Sequence, residues 1–195
     1  MPTTYSDNKR TGTPTREHRD DGGGRPFFRD GYNPVQIVQG GLYGSESKGA
    51  IAGYLAVRDA MDFCVRTGAT NAGHVVGFND TRYTMQQLPC GWVRPQASLV
   101  IGPGALVDLA ILRRELAMID AAWSIDGEPY DVRSRVHIDP RAYVHLPIAA
   151  ERSAASGRHH DIGATGKGCS EALMDRIRLR GREDLTIGGI LAGRG

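Results

Sequence analysis

The chain has 195 residues, a formal net charge of +2 and 40% hydrophobic residues. That length supports one domain with a real core, the charge excludes a surface built to coat nucleic acid, and no apolar run approaches the roughly 20 residues of a membrane span. The three cysteines, Cys64, Cys90 and Cys169, are odd in number and far apart, which argues against a disulfide framework or a zinc site and for thiols in a reducing compartment.

Residues 1–33 are polar and charged, with the breaker cluster DDGGGR, and read as a disordered tail. They hold no apolar segment of the signal-peptide kind, so the expected location is the cytoplasm. A nucleotide-binding domain is expected over residues 34–185. VQIVQ, residues 35–39, is a β-branched run read as a strand that ends at Gly40 and Gly41. From Lys48 to Met61 the spacing of Ile51, Leu55 and Met61 predicts a helix. DFCVRTG, residues 62–68, is a second strand, and VVGFND with TRYTMQQL predicts a hairpin turning near Asn79 and Asp80. SLVIG, residues 98–102, reads as a buried strand, and Asp108 as the N-cap of a helix through LAILRRELAMIDAA. VHID and AYVHLP are short strands, and residues 148–158 and 170–180 are helices. The last ten residues, TIGGILAGRG at 186–195, read as an unstructured end. Strands alternating with helices predict an α/β fold, a mixed or parallel sheet with flanking helices.

Three loops carry the chemistry. Of the 24 basic residues 21 are arginine; the three lysines are Lys9, Lys48 and Lys167, and the last two lie in glycine-rich loops. GSESKG, residues 44–49, leads into a helix, where backbone amides and the helix N-terminus favour a phosphate. It is not the P-loop pattern, because Ser47 precedes the lysine and Gly49 follows it. TNAGH, residues 70–74, offers an amide that both donates and accepts and an imidazole that titrates near neutrality. IGATGKG, residues 162–168, joins a hydroxyl, an ammonium and several amides. Each loop alone also reads as an ordinary turn; together they suggest a site for two phosphate-bearing ligands.

These stretches, in this order, resemble adenylosuccinate synthetase. That family has a GDEGKG loop, NAGH, a leucine-proline-glycine segment, an IGNG strand, IGTTGRG, and an arginine-rich helix ending before DL. Here they read GSESKG, TNAGH, LPCG at 88–91, VIGPG at 100–104, IGATGKG and DRIRLRGREDL at 175–185. The resemblance covers residues 35–185 and about the N-terminal half of the family's chain, and it implies that family's P-loop-like fold.

The resemblance implies a C–N ligase that uses a nucleoside triphosphate, a purine monophosphate, L-aspartate and magnesium, as a homodimer with shared active sites. A γ-phosphoryl group passes to the purine 6-oxygen and aspartate's amine then displaces it. By motif position the catalytic residues are Ser45 and His74. Gly44, Glu46, Ser47, Lys48, Gly49 and His74 face the triphosphate. Ser45, Asn71, Ala72, Thr165, Lys167, Arg178 and Arg180 face the purine monophosphate. Ser45 and the Gly73 carbonyl face magnesium.

Ser45 stands where the family's loop carries the carboxylate that takes the proton from purine N1. A hydroxyl is too weak an acid to act as that base at neutral pH. It is smaller and neutral, which leaves room for the 2-amino group of guanine. A bacteriophage branch of the family has serine here and makes N6-succino-2-amino-2'-deoxyadenylate from dGMP, aspartate and a nucleoside triphosphate, the route to 2-aminoadenine in phage DNA. GATGKGCSEAL, residues 163–173, also looks more like that branch. The resemblance therefore implies dGMP as substrate, in the cytoplasm of an infected cell. An IMP-using synthetase is the first alternative; an inactive fragment or a non-catalytic nucleotide-binding module is the second. ATP and GTP both remain open as donors. Two further departures stand out. Ser47 replaces a glycine, a strain if the backbone there has positive φ. Leu179 falls at the family's monophosphate-reaching arginine, with Arg178 and Arg180 beside it as substitutes. Half a site positions little, so the chain alone is expected to be inactive.

Overall fold

A parallel sheet of three strands, β1 (Phe63–Arg66), β4 (Ser98–Ile101) and β8 (Val136–Ile138), forms the centre in the order β1-β4-β8. The computed structural model describes residues 35–41, 44–125, 128–157, 165–178 and 183–194. Two compact units divide the chain at Ile37 and Val38; residues 35–37 are the described part of the first, and every strand and helix belongs to the second.

Helix α1 (Lys48–Arg58) precedes β1. A hairpin follows, β2 (His74–Phe78) against β3 (Thr81–Met85), with Asn79 at φ 44° and Asp80 at φ 58°. Both turn residues lie in the left-handed region, as a two-residue turn that matches the strand twist requires. Strand β5 (Leu106–Val107) leads into α2 (Leu109–Ala122). The Asp108 carboxylate accepts from the Ala110 and Ile111 amides at 2.9 and 3.0 Å, the predicted cap. Strands β6 (Ser124–Ile125) and β7 (Glu128–Pro129) pair antiparallel, and β9 (Tyr143–Val144) pairs parallel with β5. Helix α3 (Pro147–Ala155) packs on α4 (Cys169–Arg178), and α5 (Ile187–Leu191) closes the described chain.

The core gathers around Trp92, Met85, Leu88, Leu99 and Ile101, all at most 1% exposed. Phe78, Tyr83 and Tyr130 surround Trp92 edge-on, and Trp123 packs edge-on against Phe78 and Tyr83, its indole donating to the Tyr83 hydroxyl at 2.7 Å. Among the described residues no helix is long and apolar enough to cross a membrane.

Two expectations fail. VQIVQ forms no strand: residues 35–41 enter none of the four sheets, and Val35 and Ile37 are 86% and 83% exposed. Strand propensity becomes a strand only where a neighbouring backbone completes the ladder. The end is not unstructured either. Thr186 caps α5 through its hydroxyl, which accepts from the Gly189 amide at 3.1 Å. The Ile187 and Gly188 amides donate to Ala142 and Pro140 carbonyls at 3.0 and 2.9 Å, so tertiary bonds override the low helix propensity of the glycines. The tail at 1–33 lies outside the described residues.

Candidate active site

The GSESKG loop is held in an unusual backbone. Ser45 and Ser47 have φ of 54° and 58°, in the left-handed region. Ser47 occupies the N-cap position of α1 and its side chain makes no cap hydrogen bond; a helix N-terminus of this kind favours an anion. Lys48 and Glu46 form an ion pair at 2.7 Å, each side chain 27% exposed. Gly40 makes room for that pair: a Cβ there would come within 2.4 Å of Glu46 Oε2 and 2.8 Å of Lys48 Nζ.

The first turn of α1 presses on the start of β2. A Cβ on buried Gly49 would lie 2.6 Å from the Val75 carbonyl oxygen and 2.9 Å from His74 Cβ. Glycine at this place is what lets the lysine loop and the histidine meet. His74 is half-buried, and its Nδ1 lies 2.9 Å from Arg66 Nη1, while Arg66 Nη2 donates to the Ala72 carbonyl at 2.9 Å. Burial first, then the Arg66 and Lys48 charges, push the His74 imidazole below its usual pKa.

The TNAGH loop is fixed from behind. Buried Glu115 on α2 accepts from the amides of Gln86, Gln87 and Leu88 at 2.6, 3.1 and 2.8 Å. Gln86 then donates to the Thr70 carbonyl at 2.9 Å, and the fully buried Thr70 hydroxyl meets Cys169 Sγ at 3.5 Å. So α2 positions the residue before Asn71, and that residue touches the first residue of α4. Arg176 on α4 also donates to the Pro103 carbonyl at 2.8 Å, tying the helix to the VIGPG turn.

Of the sequence-predicted residues, the structure brings together Lys48, Gly49 and His74, with Ala72 and Gly73 beside them on the Arg66-held loop. Ser45, Asn71, Thr165, Lys167 and Arg178 are exposed. No described contact joins Thr165, Lys167 or Arg178 to Asn71. Arg180 and Leu179 lie outside the described residues, as do residues 162–164 of the IGATGKG loop. Arg66, Thr70 and Glu115 were not expected. A charged residue closing the apolar FCVR strand was the one available signal for Arg66.

The adenylosuccinate synthetase family profile matches residues 37–189. The chain belongs to the adenylosuccinate synthetase family. Among relatives, the adenylosuccinate synthetase of Thermococcus onnurineus is 40% identical over 156 residues, which cover 79% of this chain and 44% of the relative. That of Methanocaldococcus jannaschii is 32% identical over 147 residues, 72% of this chain and 39% of the relative. Among solved structures, the cyanophage S-2L succinoaminodeoxyadenylate synthetase, bound to dGMP and to dATP as an energy donor, is 28% identical with a TM-score of 0.60. It covers 77% of this chain and 40% of its own. The fully ligated synthetase from Plasmodium falciparum is 22% identical with a TM-score of 0.62, over 76% of this chain and 33% of that one, and shows the shared fold. The chain spans less than half the length of these relatives. The expected fold is thereby confirmed: an adenylosuccinate synthetase α/β fold, N-terminal half.

Ser45 and Gly73, the residues expected by motif position to offer a hydroxyl and a carbonyl to magnesium, are both exposed. Among the described residues no three His, Cys, Asp or Glu side chains group to hold a metal. Two neutral hard oxygens suit an ion that arrives with nucleotide phosphates and keeps its waters. As magnesium donors the two would serve an ion carried in by the nucleotide, not a closed protein cage.

Proposed function

We propose that this chain is the N-terminal part of a purine nucleotide ligase that joins L-aspartate to C6 of dGMP. A nucleoside triphosphate, ATP or GTP, gives its γ-phosphoryl group to the purine 6-oxygen, the bond from the γ-phosphorus to the β,γ-bridging oxygen breaks, and the purine N1 proton passes to water beside the exposed Ser45. The aspartate amine attacks C6, the C6–O bond breaks, and phosphate leaves. Lys48 and the first-turn amides of α1 hold the triphosphate. His74 donates a hydrogen bond to it, close to the transferred group. Asn71, Ala72, Thr165, Lys167, Arg178 and Arg180 hold the purine monophosphate. Magnesium, when bound with the nucleotide at Ser45 and Gly73, neutralises phosphate charge. The assembled enzyme is a homodimer in the cytoplasm, and of an infected cell if the gene is a phage's.

The observation that carries this reading is the geometry of the loop: Lys48 opens α1 directly against His74 through Gly49. Ser45 supports dGMP. Its hydroxyl carries no charge, leaves space beside N1, and can accept from the guanine N1–H or the exocyclic amine. The likeness to the cyanophage enzyme with bound dGMP supports the same choice. Identities of 32–40% to archaeal adenylosuccinate synthetases favour a second reading, in which the substrate is IMP. Aspartate-dependent phosphate release, with the C-terminal half supplied, separates them. The first reading expects release with dGMP, the second with IMP, and a non-catalytic binding module gives release with neither.

A further inference from the structure

Arg66 closes β1 and is 8% exposed. Its backbone is fixed in the sheet, where its carbonyl accepts from the Gly102 amide at 2.9 Å. From there the guanidinium reaches over the loop that β1 leads into. One arm lies 2.9 Å from His74 Nδ1 and the other donates to the Ala72 carbonyl at 2.9 Å. A guanidinium has only donors and stays protonated. A hydrogen bond at Nδ1 therefore requires a lone pair there, because an Nδ1–H would set donor against donor. A neutral imidazole with a lone pair on Nδ1 carries its proton on Nε2.

We propose that Arg66 is a positioning residue that fixes His74 in the Nε2–H tautomer and holds the NAGH backbone at Ala72. His74 then presents an N–H donor, and not a lone pair, to a phosphate oxygen. The other tautomer would place a lone pair against an anion. Among the described residues Nε2 has no protein partner, which leaves it for a ligand. The bond to Ala72 fixes the peptide just ahead of Gly73, so one side chain sets both the ring and the loop. The ligand part of this inference rests on the reading of His74 as a triphosphate contact; the tautomer part does not.

The test is a long-range proton–nitrogen NMR correlation on the 15N-labelled 195-residue chain, at a pH above the imidazole range. His74→Gln assigns the His74 signals among the six histidines. The expected pattern is a pyridine-like nitrogen at Nδ1 and a pyrrole-like nitrogen at Nε2. In Arg66→Met the pattern relaxes toward the tautomer mixture of a free histidine. A wild-type Nδ1–H pattern, or an averaged mixture, overturns the proposal. So does an Arg66→Met protein that keeps its near-UV tryptophan signal and an unchanged His74 pattern. If Arg66→Met fails to fold, the wild-type spectrum decides alone. The readout needs no turnover, so its failure is distinguishable from failure of the ligase reading.

Discussion

Ser47 enters α1 at φ 58° where the family has glycine. A side chain in that region costs about 1 kcal/mol relative to glycine, so Ser47→Gly stabilises by about that amount. In a chain of this size the melting midpoint rises by about 2–4 °C, readable by circular dichroism. Ser45, at φ 54°, is a different case. Asp tolerates left-handed backbone, so Ser45→Asp restores the family's carboxylate without breaking the loop. In the assembled enzyme it shifts the ratio of kcat/KM from dGMP toward IMP by at least tenfold, about 1.4 kcal/mol. A variant that leaves the ratio unchanged removes Ser45 from the specificity argument. The loop residues were legible because glycine, lysine and histidine announce their chemistry through spacing. Arg66 was not: in sequence it is one of 21 arginines, and only the fold shows that its guanidinium turns back under His74.

At the scale of elements, the site is held by close approaches and buried bonds that spacing does not reveal. Gly49→Ala drives a methyl into the Val75 carbonyl and the His74 side chain. Overpacking of this kind costs about 1–3 kcal/mol, and it moves α1 off β2, so nucleotide affinity falls together with the urea midpoint. Glu115 receives three backbone amides of the segment 86–88. Glu115→Ala leaves buried donors unmet and costs about 3 kcal/mol or more, and Glu115→Gln recovers part of it. Between α3 and α4, Arg152 pairs with Asp175. The Arg152 hydrogen bonds hold the Asp175 carboxyl below its usual range, while slight burial opposes them. A depressed carboxyl stabilises the native state above its unfolded pKa and loses that contribution as pH falls through the folded value. The stability difference between the wild type and Asp175→Asn is therefore present at neutral pH and vanishes in acid, and it is small because the pair is exposed. Helices and the hairpin were legible from caps and turn residues: Asp108 bonds as a cap should, and Asn79-Asp80 turns as expected. VQIVQ failed because composition cannot supply the neighbouring strand a ladder needs.

For the whole molecule, length governs what activity to expect. The matched stretch covers 44% of the Thermococcus relative, so most of such an enzyme's contacts would come from elsewhere. The second unit leaves Phe63 and Val65 of β1 67% and 62% exposed, with Tyr54 of α1 at 51%. Apolar surface of this extent favours self-association. Light scattering by the chain alone is expected to rise with concentration and to fall when the C-terminal half is supplied. The fold class was legible because six ordered motifs carried it, whereas the substrate hangs on one serine. The measurement that tests the central claim is aspartate-dependent phosphate release by the chain joined to its C-terminal half, with dGMP and with IMP as the purine monophosphate. A dGMP-using ligase gives release with dGMP that stops when aspartate is withheld. Release with IMP and none with dGMP would contradict that claim.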